Sequence, residues 1–201
     1  MKPTFTLLIF VLLFLQAGYA QCRYGGIPGK LRRYCVSDSK PTPELMTSLS
    51  VLFDKYSFLG QVSFAKAADK YYFYLHLTRD MSNRFELHQS NVLILNLESG
   101  KKLELYPNGD YSGKKMLSVF AIGCYYSLSK EQLQTLAAEK ITTLTVYTFP
   151  GGEAEMETTS DDGGNGWKKD SKGHILFRHT IDREEPKEKC RTAAGCILQK
   201  G

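Results

Sequence analysis

Residues 61–77 read QVSFAKAADKYYFYLHL, and this stretch decides the fold class. On either side of residues 67–70 it consists largely of apolar, aromatic and β-branched residues, which are typical of strands. The intervening AADK is a short segment that ends in two charged residues, as turns often do. The stretch therefore predicts a β-hairpin.

The second strand of this hairpin has two different faces. Successive side chains of a strand point in opposite directions, so the even-numbered residues share one face. Leu75 and Leu77 favour the odd-numbered face as the core, which leaves the even-numbered face outward. Exposed aromatic rings suit the binding of a protein or a glycan; the alternative is that these rings complete the core and its rim. With one tyrosine of a neighbouring predicted strand, the candidate binding residues are Tyr72, Tyr74, His76 and Tyr147.

Further strands follow from apolar or alternating patterns. They are predicted at residues 91–97, 102–106, 116–126, 141–148 and 174–181. Before the hairpin, Thr42 and Pro43 are typical of a helix start, and apolar residues follow at helical spacing. Residues 48–53 are also compatible with a strand, so this part of the chain has two interpretations.

Two helices are predicted in the second half of the chain. Ser129 and Gln132 match a capping box, which predicts a short helix over residues 129–138. An apolar stripe with a helical period predicts another helix over residues 186–199. Strands separated by tight turns with few helices between them are typical of the α+β class. We expect a mostly antiparallel sheet with the first helix as a crossover and the C-terminal helix packed on one face.

The first twenty residues have the pattern of a secretory signal peptide. Lys2 precedes an apolar run at residues 5–15, and Gly18 and Ala20 place small residues before a cleavage site at Gln21. The run is shorter than the roughly 20 residues that a membrane-spanning helix needs. We therefore expect an exported protein, periplasmic or extracellular, that does not span the membrane.

This cleavage site sets the predicted domain boundaries. Residues 1–20 form the signal peptide, residues 21–43 an irregular N-terminal arm, and residues 44–201 a single α+β domain. The basic residues of the chain are scattered as pairs among acidic ones, with a net charge of +5. A nucleic-acid surface needs clustered positive charge, so we expect no nucleic-acid partner.

Five cysteines follow the signal peptide, at positions 22, 35, 124, 190 and 196. A lipoprotein signal needs a small residue before its cysteine, and Gln21 stands before Cys22, so we expect no lipid anchor. Cys22 and Cys35 flank a loop with glycine and proline and are the candidate disulfide, although spacing does not fix the connectivity. Cys190 and Cys196 would be separated by a helical rise of about 9 Å, so we expect them not to pair.

Candidate metal and cofactor sites fail on ligand number or spacing. Residues 161–166 begin like a calcium loop, but Gly163 and Lys172 occupy positions that need oxygen ligands. The histidines and cysteines near the C-terminus have no compact zinc-binding spacing. The chain has no phosphate-binding loop, dinucleotide fingerprint or nucleophile elbow. We expect no metal and no cofactor.

The order of elements from Tyr71 to Thr148 resembles a type of uncharacterised exported protein of Gram-negative bacteria. The segments KYYFYLHL, NVLILNLESGKKLELY, YSLSKEQL and ITTLTVYT carry the resemblance. It implies export and an α+β fold, and it assigns no functional residue.

Two functional hypotheses follow. The favoured one is a non-enzymatic binding or structural protein of the periplasm or cell surface, whose partner is a protein or a glycan. The alternative is a secreted hydrolase that uses paired carboxylates. A concave pocket of converging polar groups with perturbed pKa values would favour the hydrolase, whereas a flat or grooved aromatic patch would favour the binding protein.

Overall fold

The computed structural model describes residues 22–25, 41, 43–48, 50–55, 58–80, 86–116, 119–148, 168–170 and 173–200. The predicted signal peptide, most of the N-terminal arm and Cys35 lie outside these residues. The strands are β1 (Leu45–Met46), β2 (Ser50–Lys55), β3 (Phe58–Ala67), β4 (Lys70–Asp80), β5 (Glu86–Leu87), β6 (Leu93–Leu97), β7 (Lys102–Leu105), β8 (Tyr111–Ser112), β9 (Lys114–Met116), β10 (Val119–Leu128), β11 (Ile141–Thr148), β12 (Lys168–Asp170) and β13 (Gly173–Thr180). The helices are α1 (Lys130–Ala138) and α2 (Glu184–Lys200).

The described strands form two larger sheets and one small one. The first sheet has the order β1-β3-β4-β10-β9, and β2 also pairs with β3. The second sheet has the order β12-β13-β11-β6-β7. The small sheet consists of β5 paired with β8. Neighbouring strands are antiparallel throughout these pairings. The prediction of a mostly antiparallel α+β fold is confirmed.

The predicted hairpin is the centre of the first sheet. Strands β3 and β4 pair from Leu59 opposite Thr78 to Ala67 opposite Lys70. On its other side, β4 pairs with β10 from Tyr71 to Asp80, which is all of the strand except Lys70. Strand β4 is therefore a central strand with a long strand on each side.

The segment before the hairpin is an edge strand, so its helical interpretation is wrong. The Thr47 N–H donates to the Phe64 carbonyl oxygen at 2.9 Å, as in a normal ladder. In the return bond, the Phe64 N–H donates to the Thr47 side-chain oxygen at 2.9 Å. This substitution of a side chain for a carbonyl interrupts the ladder. As a result the edge is divided into β1 and β2, both beside β3.

Helix α1 forms where the capping box predicts it. The Gln132 N–H donates to the Ser129 hydroxyl oxygen at 3.1 Å, and the Ser129 N–H donates to the Gln132 side chain at 2.8 Å. The helix follows β10 of the first sheet and precedes β11 of the second, so it crosses between sheets. Earlier in the chain, Gly100 lies in the turn between β6 and β7. Its φ is +86°, a backbone conformation that favours glycine.

Helix α2 forms as predicted and extends slightly further at both ends. It packs against α1, β2, β3 and β11, so it contacts both larger sheets. Its apolar stripe buries Cys190, Ala194 and Ile197 in the main core. None of the helices in the described part of the chain is long and apolar enough to cross a membrane.

Candidate functional site

The predicted outward placement of the aromatic patch is wrong, because its residues are buried. Tyr72 is 6% exposed, Tyr74 is completely buried and His76 is 3% exposed. Tyr147 is 4% exposed and lies on β11 of the second sheet, so the structure does not bring it together with the other three. Tyr72 borders a depression at the surface.

The even-numbered face of β4 packs its rings on those of the neighbouring strand. Tyr74 lies opposite Tyr125 of β10, and their ring centroids are 4.7 Å apart. Tyr72 meets the same Tyr125 ring edge-on at 6.0 Å. The opposite face is buried as well, since Phe73, Leu75 and Leu77 are at most 1% exposed. Alternation alone assigns one face to solvent, but this central strand is covered on both faces.

His76 lies in this interior, and neither of its ring nitrogens has a hydrogen-bond partner among the residues that the structure describes. The residues opposite it are Gln61 on β3 and Gly123 on β10. Burial lowers the pKa of His76 to about 4. The imidazole is therefore neutral at neutral pH, and it is not available to a ligand at the surface.

Tyr147 belongs to a separate apolar cluster on the second sheet. It packs with Val92 and Ile94, and its N–H donates to the Val92 carbonyl oxygen at 2.9 Å. Beside it on the same strand, Thr145 is also buried. The face of β11 predicted as outward is thus covered too.

The predicted disulfide between Cys22 and Cys35 is wrong, because Cys22 is bonded to Cys196. The two residues are 174 positions apart, and their Cα atoms are 5.6 Å apart. Helix α2 carries Cys196 to the sheet edge where Cys22 lies, which no local spacing reveals. Cys190 is a free, buried thiol, so the prediction that it does not pair with Cys196 is confirmed.

This disulfide fastens a short strand-like segment, residues 22–25, to the edge of the first sheet. Tyr24 forms an antiparallel bridge with Thr47. Its hydroxyl donates to the Cys196 carbonyl oxygen at 3.1 Å. The Lys200 ammonium lies 4.2 Å from the Tyr24 ring centroid, a cation–π contact. The segment is thus held by the sheet on one side and by α2 on the other.

Next to this segment, a groove separates the sheet edge from helix α2. Its volume is about 640 Å³, in the range of ligand-binding sites. One wall is the edge of the sheet, with Arg23, Thr47, Ser48, Ser50 and Val51. The other wall is the helix, with Glu185, Glu188, Lys189, Thr192 and Ala193. We call it the edge groove.

Strand β2 makes the edge groove unusual. It pairs with β3 on one side, and no other described strand pairs with it. Its Val51 side chain is 45% exposed, although most large apolar side chains of the described residues are buried. An open strand edge with an exposed apolar side chain is a typical place for another chain to bind.

The acidic residues of the edge groove are engaged in ion pairs. A hydrogen bond from Lys189, at 2.6 Å, lowers the pKa of Glu185. A hydrogen bond from Arg191 lowers the pKa of Glu188, which also lies 4.0 Å from Lys140. In contrast, the exposed Arg23 side chain has no acidic partner among the described residues. The unpaired charge of the groove is therefore positive.

A second depression lies at the turn of the hairpin. It has a volume of about 540 Å³ and includes Tyr72 and the turn between β3 and β4. Lys66, Lys70 and Lys130 give it a basic rim, with Asp69 beside them. At the nearby start of α1, the capping box uses the N–H groups of Ser129 and Gln132. We call it the basic depression.

Among the described residues, the remaining thiols are buried and do not form a reactive centre. Burial raises the pKa of the Cys190 thiol to about 12, which keeps it protonated and unreactive. Cys124 is a buried residue on β10. Within the described residues, no cluster of three histidine, cysteine or acidic residues is arranged to hold a metal.

Sequence reasoning missed the edge groove because its walls are far apart in the chain. Residue 23, strand β2 and helix α2 meet only through tertiary packing and the Cys22–Cys196 bond. The cysteines were the one signal, since their spacing does not fix the connectivity and left distant pairings open. Comparisons of this chain with protein families, with curated proteins and with solved structures found no match. The resemblance to exported proteins of Gram-negative bacteria stays a prediction.

Proposed function

We propose that this chain is an exported, non-enzymatic binding protein of the periplasm or cell surface, and that the edge groove is its binding site. The observation that carries the proposal is the coincidence of three features in one groove. These are an open strand edge, an exposed apolar side chain at Val51 and an unpaired cation at Arg23. Together they offer backbone, apolar and ionic contacts to one ligand.

Two observations support export. The first twenty residues have the pattern of a signal peptide. The Cys22–Cys196 disulfide is the kind of bond that persists in oxidising compartments and is rare in reducing ones. The two observations are independent, since one comes from composition and the other from tertiary structure.

The charges of the edge groove favour binding over carboxylate catalysis. A general acid must keep its proton near neutral pH, which requires a raised pKa. Glu185 and Glu188 are shifted the other way by Lys189 and Arg191. Two ionised, ion-paired carboxylates on an exposed helix suit solubility and charge complementarity better than proton transfer. The hydrolase hypothesis stays an untested alternative.

A paired screen tests the proposal. The purified protein would be presented to a display library of random decapeptides and to a glycan array. Val51→Arg would place a bulky charge in the edge groove. Tyr106→Arg would change the other strongly exposed large apolar residue of the described part of the chain, at 48% exposure, as a matched control. We expect a probe that binds the wild type and the control but not the groove variant.

Three results would contradict the proposal. They are the absence of any binding probe, equal binding by the groove variant, and cleavage of bound probes. Export has a separate readout, since expression with the native N-terminus should yield a mature protein that begins at Gln21 by mass spectrometry.

A further inference from the structure

We infer that the ligand of the edge groove is an extended peptide, which adds as a strand to the open edge of β2 and places an acidic side chain against Arg23. This inference rests on the proposed function and names its ligand class.

The same sheet edge already carries a strand-like segment of this chain. The Gly25 N–H donates to the Met46 carbonyl oxygen at 3.1 Å, and the Ser48 N–H donates to the Arg23 carbonyl oxygen at 2.8 Å. These bonds and the Tyr24–Thr47 bridge are those of an antiparallel ladder. Beside β1, therefore, the edge is filled by an extended backbone.

The edge continues along β2 without such a neighbour. Strand β2 has six residues, a length of about 20 Å at the usual rise per residue. No described strand besides β3 pairs with it. Its outer backbone groups are a template for an incoming strand of five or six residues, in line with residues 22–25.

The helix wall suits the side chains of such a strand. Thr192 and Ala193 are small residues on α2 that face the edge groove, and Val51 faces it from the sheet. Alternate side chains of an added strand would point towards this wall. Small and branched apolar residues of the peptide would fill the space between Val51 and Ala193.

The charges of the edge groove predict that the peptide is acidic. The groove residues Glu185, Glu188 and Lys189 are all in ion pairs within the helix. Arg23 is exposed at the end of the groove where the chain's own strand-like segment stops. A guanidinium binds a carboxylate through parallel hydrogen bonds, so an Asp or Glu side chain of the peptide complements it.

The first test is the sequence of the selected peptides. From the random decapeptide library, we expect enrichment of β-branched residues alternating with at least one Asp or Glu. Enrichment of basic or proline-rich peptides would overturn the inference, as would the absence of any enrichment.

The second test distinguishes strand addition from other modes of binding. Two versions of the best selected peptide would be made, each N-methylated at alternate residues. In one version the methyl groups would block the N–H groups along one edge of the extended peptide, and in the other version those along the opposite edge. Strand addition uses the N–H groups of one edge only. We expect one methylated peptide to bind like the parent and the other to bind at least about tenfold more weakly, since methylation removes several ladder bonds. Equal affinities would overturn the inference.

The third test uses charge reversal at Arg23. We expect Arg23→Glu to weaken binding of the acidic peptide by about fivefold or more and to improve binding of its Lys-substituted copy. Lys70→Glu is the matched control, because it reverses a cation of the basic depression at the turn of the hairpin. Sensitivity to Lys70→Glu rather than Arg23→Glu would overturn the inference.

Failure of the inference and failure of the proposed function have different signatures. If the protein bound a glycan and Val51→Arg abolished this binding, the edge groove would still be the binding site, but the inference that its ligand is a peptide would be overturned. Concentration-dependent dimers that Val51→Arg dissociates in sedimentation would show that a second copy occupies the edge, which also overturns the inference. Loss of every probe would contradict both.

Discussion

Strands β4 and β2 lie on opposite sides of β3, and they have opposite relations to solvent. Strand β4 is paired on both edges and covered on both faces, so that even its tyrosines and His76 are buried. Strand β2 is paired with β3 alone among the described strands, and its Val51 is 45% exposed. Position in the sheet, more than aromatic content, therefore decides which strand is available to a ligand.

This difference has an energetic side. Burial of a large ring contributes several kilocalories per mole, and its loss leaves a cavity that the neighbouring side chains fill only in part. An exposed side chain on an edge contributes little to folding and is free to contribute to binding. Substitutions on β4 should therefore lower the free energy of unfolding much more than substitutions of exposed residues on β2.

The largest effect is expected at Tyr74. Tyr74→Ser removes a completely buried ring that packs on Tyr125. We expect the free energy of unfolding to fall by about 3–5 kcal/mol. For a domain of this size the melting temperature should fall by about 6–20 °C.

Tyr106→Ser is the matched control, because Tyr106 is 48% exposed. Its free energy of unfolding should change by no more than about 0.5 kcal/mol. Thermal and urea unfolding would measure both variants. A fall of less than about 2 °C for Tyr74→Ser would show that β4 presents this ring to solvent, and the comparison with β2 would fail.

The next effect concerns the fastening of the sheet edge beside β2. Cys22→Ser breaks the bond to Cys196, which closes a loop of 174 positions. We expect the free energy of unfolding to fall by about 2–5 kcal/mol, because the unfolded chain regains conformational freedom. A reductant should destabilise the wild type but leave Cys22→Ser unchanged. Peptide mapping that linked Cys22 to Cys35 would contradict the assignment.

Much of the fold was predictable because its signals are local. The hairpin depends on alternation and a short turn, and α1 depends on the capping box of Ser129 and Gln132. The stripe of α2 has a helical period that survives in the structure. The edge strand was ambiguous, since Thr42 and Pro43 favour a helix start while residues 48–53 are also compatible with a strand. Pairing with β3, which is a non-local interaction, stabilises the strand rather than the helix.

The candidate site was not predictable for the same physical reason. Alternation indicates which residues share a face, but it does not indicate whether the other face is covered. It placed Tyr72, Tyr74 and His76 outward, whereas the structure buries all three. The edge groove requires residues 22–25 and α2 to meet, and Cys196 brings them together across the length of the chain.

A smaller effect should come from His76 on the central strand. Its pKa is about 4 in the folded protein, against about 6.5 in an unfolded chain. Between these values the unfolded state binds a proton that the folded state does not, so stability falls as the pH falls. From pH 7 to pH 5.5 we expect a loss of about 1 kcal/mol from this residue.

His76→Leu removes this source of pH dependence. Urea unfolding at pH 7 and pH 5.5 should show a smaller loss for the variant than for the wild type. Its stability at pH 7 should be maintained or increased, because the imidazole nitrogens have no partners to lose. Equal losses in both proteins would show that His76 is solvated, and β4 would then have an open face.

The smallest effect is expected on β2, where a matched pair of valines gives the sharpest comparison. Val62 on β3 lies opposite Ser50 and is 1% exposed, whereas Val51 on the neighbouring β2 is 45% exposed. Val62→Ser should lower the free energy of unfolding by about 1.5–3 kcal/mol, and Val51→Ser should change it by no more than about 0.5 kcal/mol. Urea unfolding measures both. Equal losses would mean that another part of the protein covers the edge of β2 and closes the edge groove to a partner. A large difference would leave Val51 free for binding, because a side chain that contributes little to folding can contribute its apolar surface to a ligand.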